Sequence, residues 1–338
     1  MKTLRLALLG FGNAGQAFVQ MLSEKHSEIC QKYDTDVRIS AVATGRHGSV
    51  VNAEGMTPAD VLKMFQENGQ FPDAVTALEI VTTAAYDVLV ELTPLNIRTG
   101  QPAIDHIRGA FARGKHVVTA NKGPIAWAYD ELCRTAQEKG VCFFHETTVM
   151  DGTPVFNLYD ETLPLTEVTE VSGILNTTTN YILEELAKGR GYDDILAEGR
   201  RLGFVEADAS MDIEGYDAAA KITALANVLM HAHLTPDQVE RKGIEDITPQ
   251  DIQAAADRGK VIKLLCRAWR ENGIVRTRVQ PAEVPLTALE ATIDATSSLV
   301  SITTDLMGKL SVVEHNPLIQ QTAYGVFGDV LRVIKSTY

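Results

Sequence analysis

The chain has 338 residues, 45% of them hydrophobic, enough to build a large core and more than one domain. A formal net charge of −13 without any basic run argues against a nucleic-acid or anionic-membrane partner. Cys30, Cys133, Cys142 and Cys266 are scattered with no Cys-x-x-Cys spacing, so neither a zinc cage nor a disulfide framework is signalled, and reduced thiols in a cytoplasmic protein are expected.

The opening run, Leu4 to Leu9, is apolar but interrupted by Arg5 and passes straight into glycines, which reads as a first strand and not as a signal peptide. No stretch approaches the roughly 20 apolar residues that span a bilayer. Gly10-x-Gly12-x-x-Gly15 then opens a helix carrying Ala17, Phe18, Met21 and Leu22 at helical spacing. In that context the first glycine allows a tight turn, the second lets backbone approach a pyrophosphate, and the third lets helix pack on strand. Gly10, Gly12, Asn13, Ala14 and Gly15 are therefore expected to hold a dinucleotide at the helix N-terminus. Val37 to Ala43 reads as a second strand ending without a carboxylate. Arg46 stands just beyond it, which favours the 2′-phosphate of NADP over NAD, although a solvent-facing loop arginine would look the same.

Residues 48–73 form a polar excursion with one helix, capped by Thr57 and started by Pro58. The sheet resumes at 87–92, and Thr93-Pro94 falls where strand-to-helix loops meet a cofactor. A helix at 102–113 precedes the strand 116–120, whose end delivers Asn121 and Lys122 to the ligand crevice of an open α/β sheet. A helix to Lys139, stopped by Gly140, and a strand at 141–144 complete a doubly wound pattern.

Beyond Glu146 the pattern changes. Strands at 167–175, 261–270, 274–279, 299–304 and 309–313 read as antiparallel, with Asn272-Gly273 a hairpin turn. Helices are expected at 180–188, 193–202 and 215–231, with a short one at Pro236, giving an α+β domain whose sheet also offers a surface for dimerisation. The cluster Asn176-Thr-Thr-Thr-Asn180 at a helix start suits carboxylate binding and equally suits plain capping. Asp217 and Lys221 stand four apart on one helix face, acid first. Alone they would read as a surface ion pair worth a few tenths of a kcal/mol.

Taken together, Gly10-x-Gly12-x-x-Gly15, Val118-Thr-Ala-Asn121-Lys122, Gly173-Ile-Leu-Asn-Thr-Thr-Thr-Asn180 and the stretch Glu206 to Lys221 resemble homoserine dehydrogenase, in order and over nearly the whole chain. The fold expected is a Rossmann-type doubly wound parallel sheet, residues 1–146 with helix 318–338 returning to it, plus an α+β catalytic and dimerisation domain at 147–317. The resemblance implies NAD(P)-dependent interconversion of aspartate 4-semialdehyde and homoserine by a homodimer. It makes Lys122 and Lys221 the catalytic lysines, has Glu206 and Asp217 position substrate and water, and has Thr178 and Asp212 contact the amino acid. It also implies a monovalent cation, sodium, at Glu146, Val149, Asp151 and Thr153. Thr177 replaces a usual Gly, Ala209 a usual Pro, and Glu314-His315-Asn316 a glycine-rich turn. A dehydrogenase acting on another short amino or hydroxy aldehyde, or a non-catalytic nucleotide-binding protein, stays open. The chain stops at Tyr338, so the C-terminal regulatory domain that many members carry, and feedback inhibition through it, are not expected.

Overall fold

The computed structural model describes residues 1–202, 205 and 209–337, which form two compact units. The first comprises 1–154 and 318–338, the second 155–317. Among the described residues no helix is long and apolar enough to cross a membrane.

The first unit runs β1 (Lys2–Leu9), α1 (Asn13–Tyr33), β2 (Thr35–Ala43), β3 (Ser49–Met56), α2 (Pro58–Asn68), α3 (Ala77–Thr83), β4 (Val88–Glu91), α4 (Ala103–Ala112), β5 (His116–Thr119), α5 (Lys122–Lys139) and β6 (Phe143–Phe144). The sheet order is β3-β2-β1-β4-β5-β6, parallel throughout except that β3 runs antiparallel to β2. Alternation along β1 explains the layering, because successive side chains leave a strand on opposite faces. Leu4, Leu6 and Leu8 pack with Phe18 and Leu22 of α1 and with Val330, Val333 and Ile334 of the final helix, Ile319–Thr337. Ala7 and Leu9 face the other way, toward Ile80, Ile107, Phe111 and Leu132. Thr57 caps α2 as expected, its side chain accepting from the Asp60 N–H, with Pro58 at the first position.

The second unit runs α6 (Phe156–Thr162), β7 (Val168–Ile174), α7 (Thr177–Ala187), α8 (Tyr192–Leu202), α9 (Ser210–Ile213), α10 (Tyr216–Met230), β8 (Glu240–Arg241), α11 (Pro249–Asp257), β9 (Lys260–Glu271), β10 (Ile274–Pro285), β11 (Ser298–Thr304) and β12 (Gly308–Glu314). Its sheet order is β12-β11-β7-β9-β10-β8, antiparallel except for the short β10/β8 pairing. Asn272 at φ 51° and Gly273 at φ 80° form the two-residue turn joining β9 to β10, the left-handed pair that matches strand twist in a hairpin. The last helix of the chain, α12 (Ile319–Thr337), belongs to the first unit.

Several elements depart from the sequence reading, among them the short α9 and β8. Residues 49–56 form a strand where the sequence suggests only a polar loop, because an edge strand with four consecutive exposed residues shows no alternation. The helices α3, α6 and α11 are likewise additions to it. Two of them carry capping boxes, at Thr76/Glu79 and Thr248/Asp251, but too few residues to establish a helical period.

Candidate active site

In the first unit, Gly10 has φ +101°, and a Cβ there would lie 2.3 Å from the Leu92 carbonyl oxygen. Only glycine permits that turn and that approach of β1's end to β4's end. A Cβ on Gly12 would meet nothing within 4 Å, so open space lies over the start of α1, which Gly12 caps without any side-chain hydrogen bond. The first-turn N–H groups around Asn13 and Ala14 thus begin a 21-residue helix whose N-cap residue supplies no side-chain cap. At Gly15 an added Cβ would sit 2.9 Å from the Gly10 carbonyl oxygen, the close packing the third glycine provides.

Neighbouring strand ends bring more of the expected residues together. Asn121 Nδ2 donates to the Thr93 carbonyl at 3.1 Å while Asn121 Oδ1 accepts from Gly123 N at 3.0 Å, capping α5 and placing half-buried Lys122 as its first residue. Thr93 Oγ1 donates to the Glu91 carboxylate, and Thr93 N donates to it at 3.2 Å. Glu91 is fully buried at the end of β4, with His106 Nδ1 3.5 Å away. Sequence reading passes over Glu91 and His106; an acid closing an otherwise apolar strand is the available signal. Arg46 is exposed in the turn after β2, which the Thr44 hydroxyl holds by donating to the Gly48 carbonyl at 2.8 Å and accepting from His47 N at 2.7 Å.

The expected cation residues lie in one irregular loop of the same unit. Glu146 opens a single 3-10 turn, Val149 closes it, and Asp151 adopts φ 42°. Glu146 N donates to Asp329 Oδ2 at 2.9 Å, Thr322 Oγ1 donates to Asp151 Oδ1 at 2.5 Å, and Thr153 N to the Met150 carbonyl at 2.8 Å. Both Glu146 and Asp329 are buried, and Asp329 Oδ1 lies 3.6 Å from Arg332 Nη1 as an ion pair.

The second unit gathers its expected residues around Asn176, which by sequence alone is no more than a capping or carboxylate-binding candidate. Asn176 Oδ1 caps α7 by accepting from Thr179 N at 2.8 Å. Its Nδ2 donates to Asp212 Oδ1 at 2.6 Å and to Asp217 Oδ2 at 3.0 Å, tying two carboxylates together. Lys221 Nζ donates to the Leu175 carbonyl at 2.7 Å and lies 3.4 Å from Asp217 Oδ2. With side chains only 16% and 14% exposed, Lys221 and Asp217 are no solvated surface pair. Burial raises the Asp212 carboxyl above its ordinary value and the nearby Asp217 adds to that, while hydrogen bonds from Asn176 and Thr178 pull it back. Gly215, at φ 80°, makes the left-handed entry into α10 that puts Asp212 and Asp217 on either side of one turn. Glu206 lies outside the described residues.

A dinucleotide-type sheet with an uncapped glycine turn, together with a lysine held between a carbonyl and a carboxylate in an α+β unit, defines an NAD(P)-dependent oxidoreductase acting on a CH–OH group. The homoserine dehydrogenase family model matches residues 154–331, and the model of the homoserine dehydrogenase NAD binding domain matches residues 10–146. The chain belongs to the homoserine dehydrogenase family. It is 34% identical to "Homoserine dehydrogenase" of Methanocaldococcus jannaschii over 98% of this chain and 99% of that one. It is 33% identical to "NAD(+)-dependent homoserine dehydrogenase" of Pseudomonas canavaninivorans over 99% and 97% respectively. Among solved structures, the putative homoserine dehydrogenase of Archaeoglobus fulgidus superposes with a TM-score of 0.88 at 34% identity, covering 98% of this chain and 99% of that chain. Of the residues that depart from the family pattern, Ala209 has φ −88° and Thr177, the first residue of α7, is not left-handed, whereas Asn316, in the stretch that replaces a glycine-rich turn, adopts φ 43°.

Proposed function

We propose that the chain interconverts aspartate 4-semialdehyde and L-homoserine, with Lys221 supplying charge and a proton to the reacting oxygen. The observation that carries this is the fixing of Lys221 Nζ by the Leu175 carbonyl and Asp217, which holds the amine in place before substrate arrives. The dinucleotide, when bound, supplies or takes up the hydride. As hydride reaches the aldehyde carbon its oxygen becomes an alkoxide, and a preorganised ammonium stabilises that charge and passes it a proton, giving the alcohol. Asp217 is the counter-charge beside Lys221, Asp212 and Thr178 offer hydrogen-bond partners for the amino-acid ammonium and carboxylate, and Glu206 joins them by family resemblance. Lys122 is assigned the second lysine role on the same resemblance.

For the cofactor, Gly10, Gly12, Asn13, Ala14 and Gly15 would hold the pyrophosphate, with Thr93, Asn121 and Lys122 beside the remainder. Arg46 favours the NADP 2′-phosphate, and NAD remains the competing choice. Glu146, Val149, Asp151 and Thr153 are assigned a hard monovalent cation such as sodium on the same family resemblance, supported by their lying in one irregular loop around buried Glu146. A homodimer is assigned because Leu265, Arg267 and Trp269 of β9 project opposite buried Cys266 and Ala268, leaving a partly open sheet face. A cytoplasmic location, and a place in threonine and methionine biosynthesis, follow from the same assignment.

The test is reduction of NAD or NADP by purified protein with homoserine, beside a panel of other short amino and hydroxy alcohols. Homoserine should give the highest kcat/KM, and Lys221→Gln should cut kcat by about 10²–10³ while leaving nucleotide binding intact. Absence of homoserine-dependent reduction with either nucleotide rejects the reading. For Arg46→Glu, loss of kcat/KM with NADP and not with NAD is expected.

A further inference from the structure

His26 and Cys30 stand four residues apart on α1 and therefore share one face of it. The chain reverses at left-handed Asp34, and β2 then carries Asp36 back beneath that face. Three different ligand types meet there. His26 Nε2 lies 2.8 Å from Asp36 Oδ1 and 3.8 Å from Cys30 Sγ, and the three ligand atoms all lie within 4.8 Å of one another. Asp36 is buried, while His26 and Cys30 are half-buried, so the cluster is reachable from solvent. The second Asp36 oxygen, Oδ2, accepts from Arg38 Nε at 2.7 Å.

We propose that His26 Nε2, Cys30 Sγ and Asp36 Oδ1 form a binding site for a thiophilic divalent cation, best matched by Zn²⁺. Imidazole, thiolate and carboxylate are the three donor types that zinc takes in a tetrahedron, and a fourth position stays open to water. Metal–ligand bonds of 2.0–2.3 Å in that geometry separate the ligand atoms by roughly 3.3–3.6 Å. The nitrogen–sulfur spacing is close to that already, and the nitrogen–oxygen spacing opens by about half an ångström once an ion replaces the intervening proton. Binding releases the Cys30 proton and the proton shared by His26 and Asp36 to solvent, and thiolate plus carboxylate then balance the two positive charges. Arg38 holds the outer carboxylate oxygen and so presents Oδ1 alone to the ion. Its own positive charge opposes the cation, so the site binds more weakly than an all-cysteine cage. Along α1 the cluster lies roughly 20 Å from the glycine turn at 1.5 Å per residue, so it acts as a clamp between α1 and β2 and takes no part in hydride transfer.

The test uses chelator-treated, reduced full-length protein. One equivalent of Co²⁺ should produce a thiolate-to-metal charge-transfer band with the intense visible absorption of tetrahedral cobalt, and Zn²⁺ should abolish both. Cys30→Ser should remove the charge-transfer band and His26→Ala should weaken binding at least tenfold, with unchanged circular dichroism and turnover in each. In parent protein, Zn²⁺ should slow alkylation of Cys30, followed by peptide mass, at least tenfold. The proposal fails if no charge-transfer band forms, if the band survives in Cys30→Ser, or if Zn²⁺ leaves Cys30 alkylation unchanged. The alkylation measurement needs no variant and decides the matter even where a substitution prevents folding.

Discussion

Replacing Asn176 by aspartate exchanges one amide nitrogen for oxygen and inverts the role of the side chain. The substituted carboxylate still caps α7, because it accepts from Thr179 N as Asn176 Oδ1 does at 2.8 Å. What disappears are the two Nδ2 donations, at 2.6 Å to Asp212 and 3.0 Å to Asp217, and a third carboxylate now faces both acids. Hydrogen bonds to charged groups contribute about 1.5–3 kcal/mol each, so with partial solvent exposure the loss at pH 7.5 is about 3–5 kcal/mol. That corresponds to roughly 6–20 °C in Tm for a domain of this size. The pH dependence carries the sharper information. A carboxyl whose folded pKa is raised, as burial and then Asp217 raise Asp212, binds its proton more tightly folded than unfolded, so stability falls as pH climbs from the ordinary value of 3.8 through the folded one. A third carboxylate widens that window upward. At pH 4.5 the introduced carboxyl, once protonated, can donate again, and about half of the deficit should return. Differential scanning calorimetry of parent and variant at pH 4.5 and 7.5 reads this directly. An equal Tm loss at both pH values, or none at either, refutes the bridging role of Asn176.

Three further outcomes are expected. Gly10→Ala places a Cβ 2.3 Å from the Leu92 carbonyl at φ +101°, so it should lower Tm and weaken nucleotide binding measured by calorimetric titration; a parent-like variant would contradict the close approach. Lys263 is buried and donates to Asn180 Oδ1 at 2.8 Å and to the Ile293 carbonyl at 2.5 Å; that carbonyl keeps a second donor, Asn180 Nδ2 at 3.2 Å, so Lys263→Met should cost about 1–3 kcal/mol by stranding Asn180 Oδ1, as judged by urea midpoints. Burial lowers the Lys263 pKa, so the unfolded chain binds that proton more tightly; parent stability relative to the Met variant should therefore rise as pH climbs toward 10.5, and a constant difference would exclude the shift. Thr248→Ala removes a capping box in which Thr248 and Asp251 exchange hydrogen bonds, and about 1 kcal/mol should be lost without effect on turnover.

How far the sequence can be read follows from which interactions are local. The glycine turn, the Thr57–Pro58 helix start and the Asn272–Gly273 hairpin are fixed by neighbours in the chain, and they stand where their residues demand. Asp217 and Lys221 are visible as a pair because helical spacing alone places them together. Their meaning is not, since it depends on Asn176 Nδ2 and the Leu175 carbonyl, more than forty residues away in the chain. The same holds for Glu91 and His106, which pair across different elements, and for Asp36, which reaches the i, i+4 pair His26 and Cys30 from β2. β3 escapes notice for a different reason, because its exposed middle resembles a loop.

The final helix of the chain seats Val330, Val333 and Ile334 against Phe18, Leu22 and the β1 leucines, so the first unit is built from two segments separated by 163 residues, the length of the span 155–317. Synthesis therefore delivers its ends at very different times. The second unit leaves the ribosome as one continuous stretch and can close its core at once. The nucleotide unit must wait with the α1 and β1 leucine face uncovered until the last helix emerges, and during that interval it is the part of the nascent chain most in need of a chaperone.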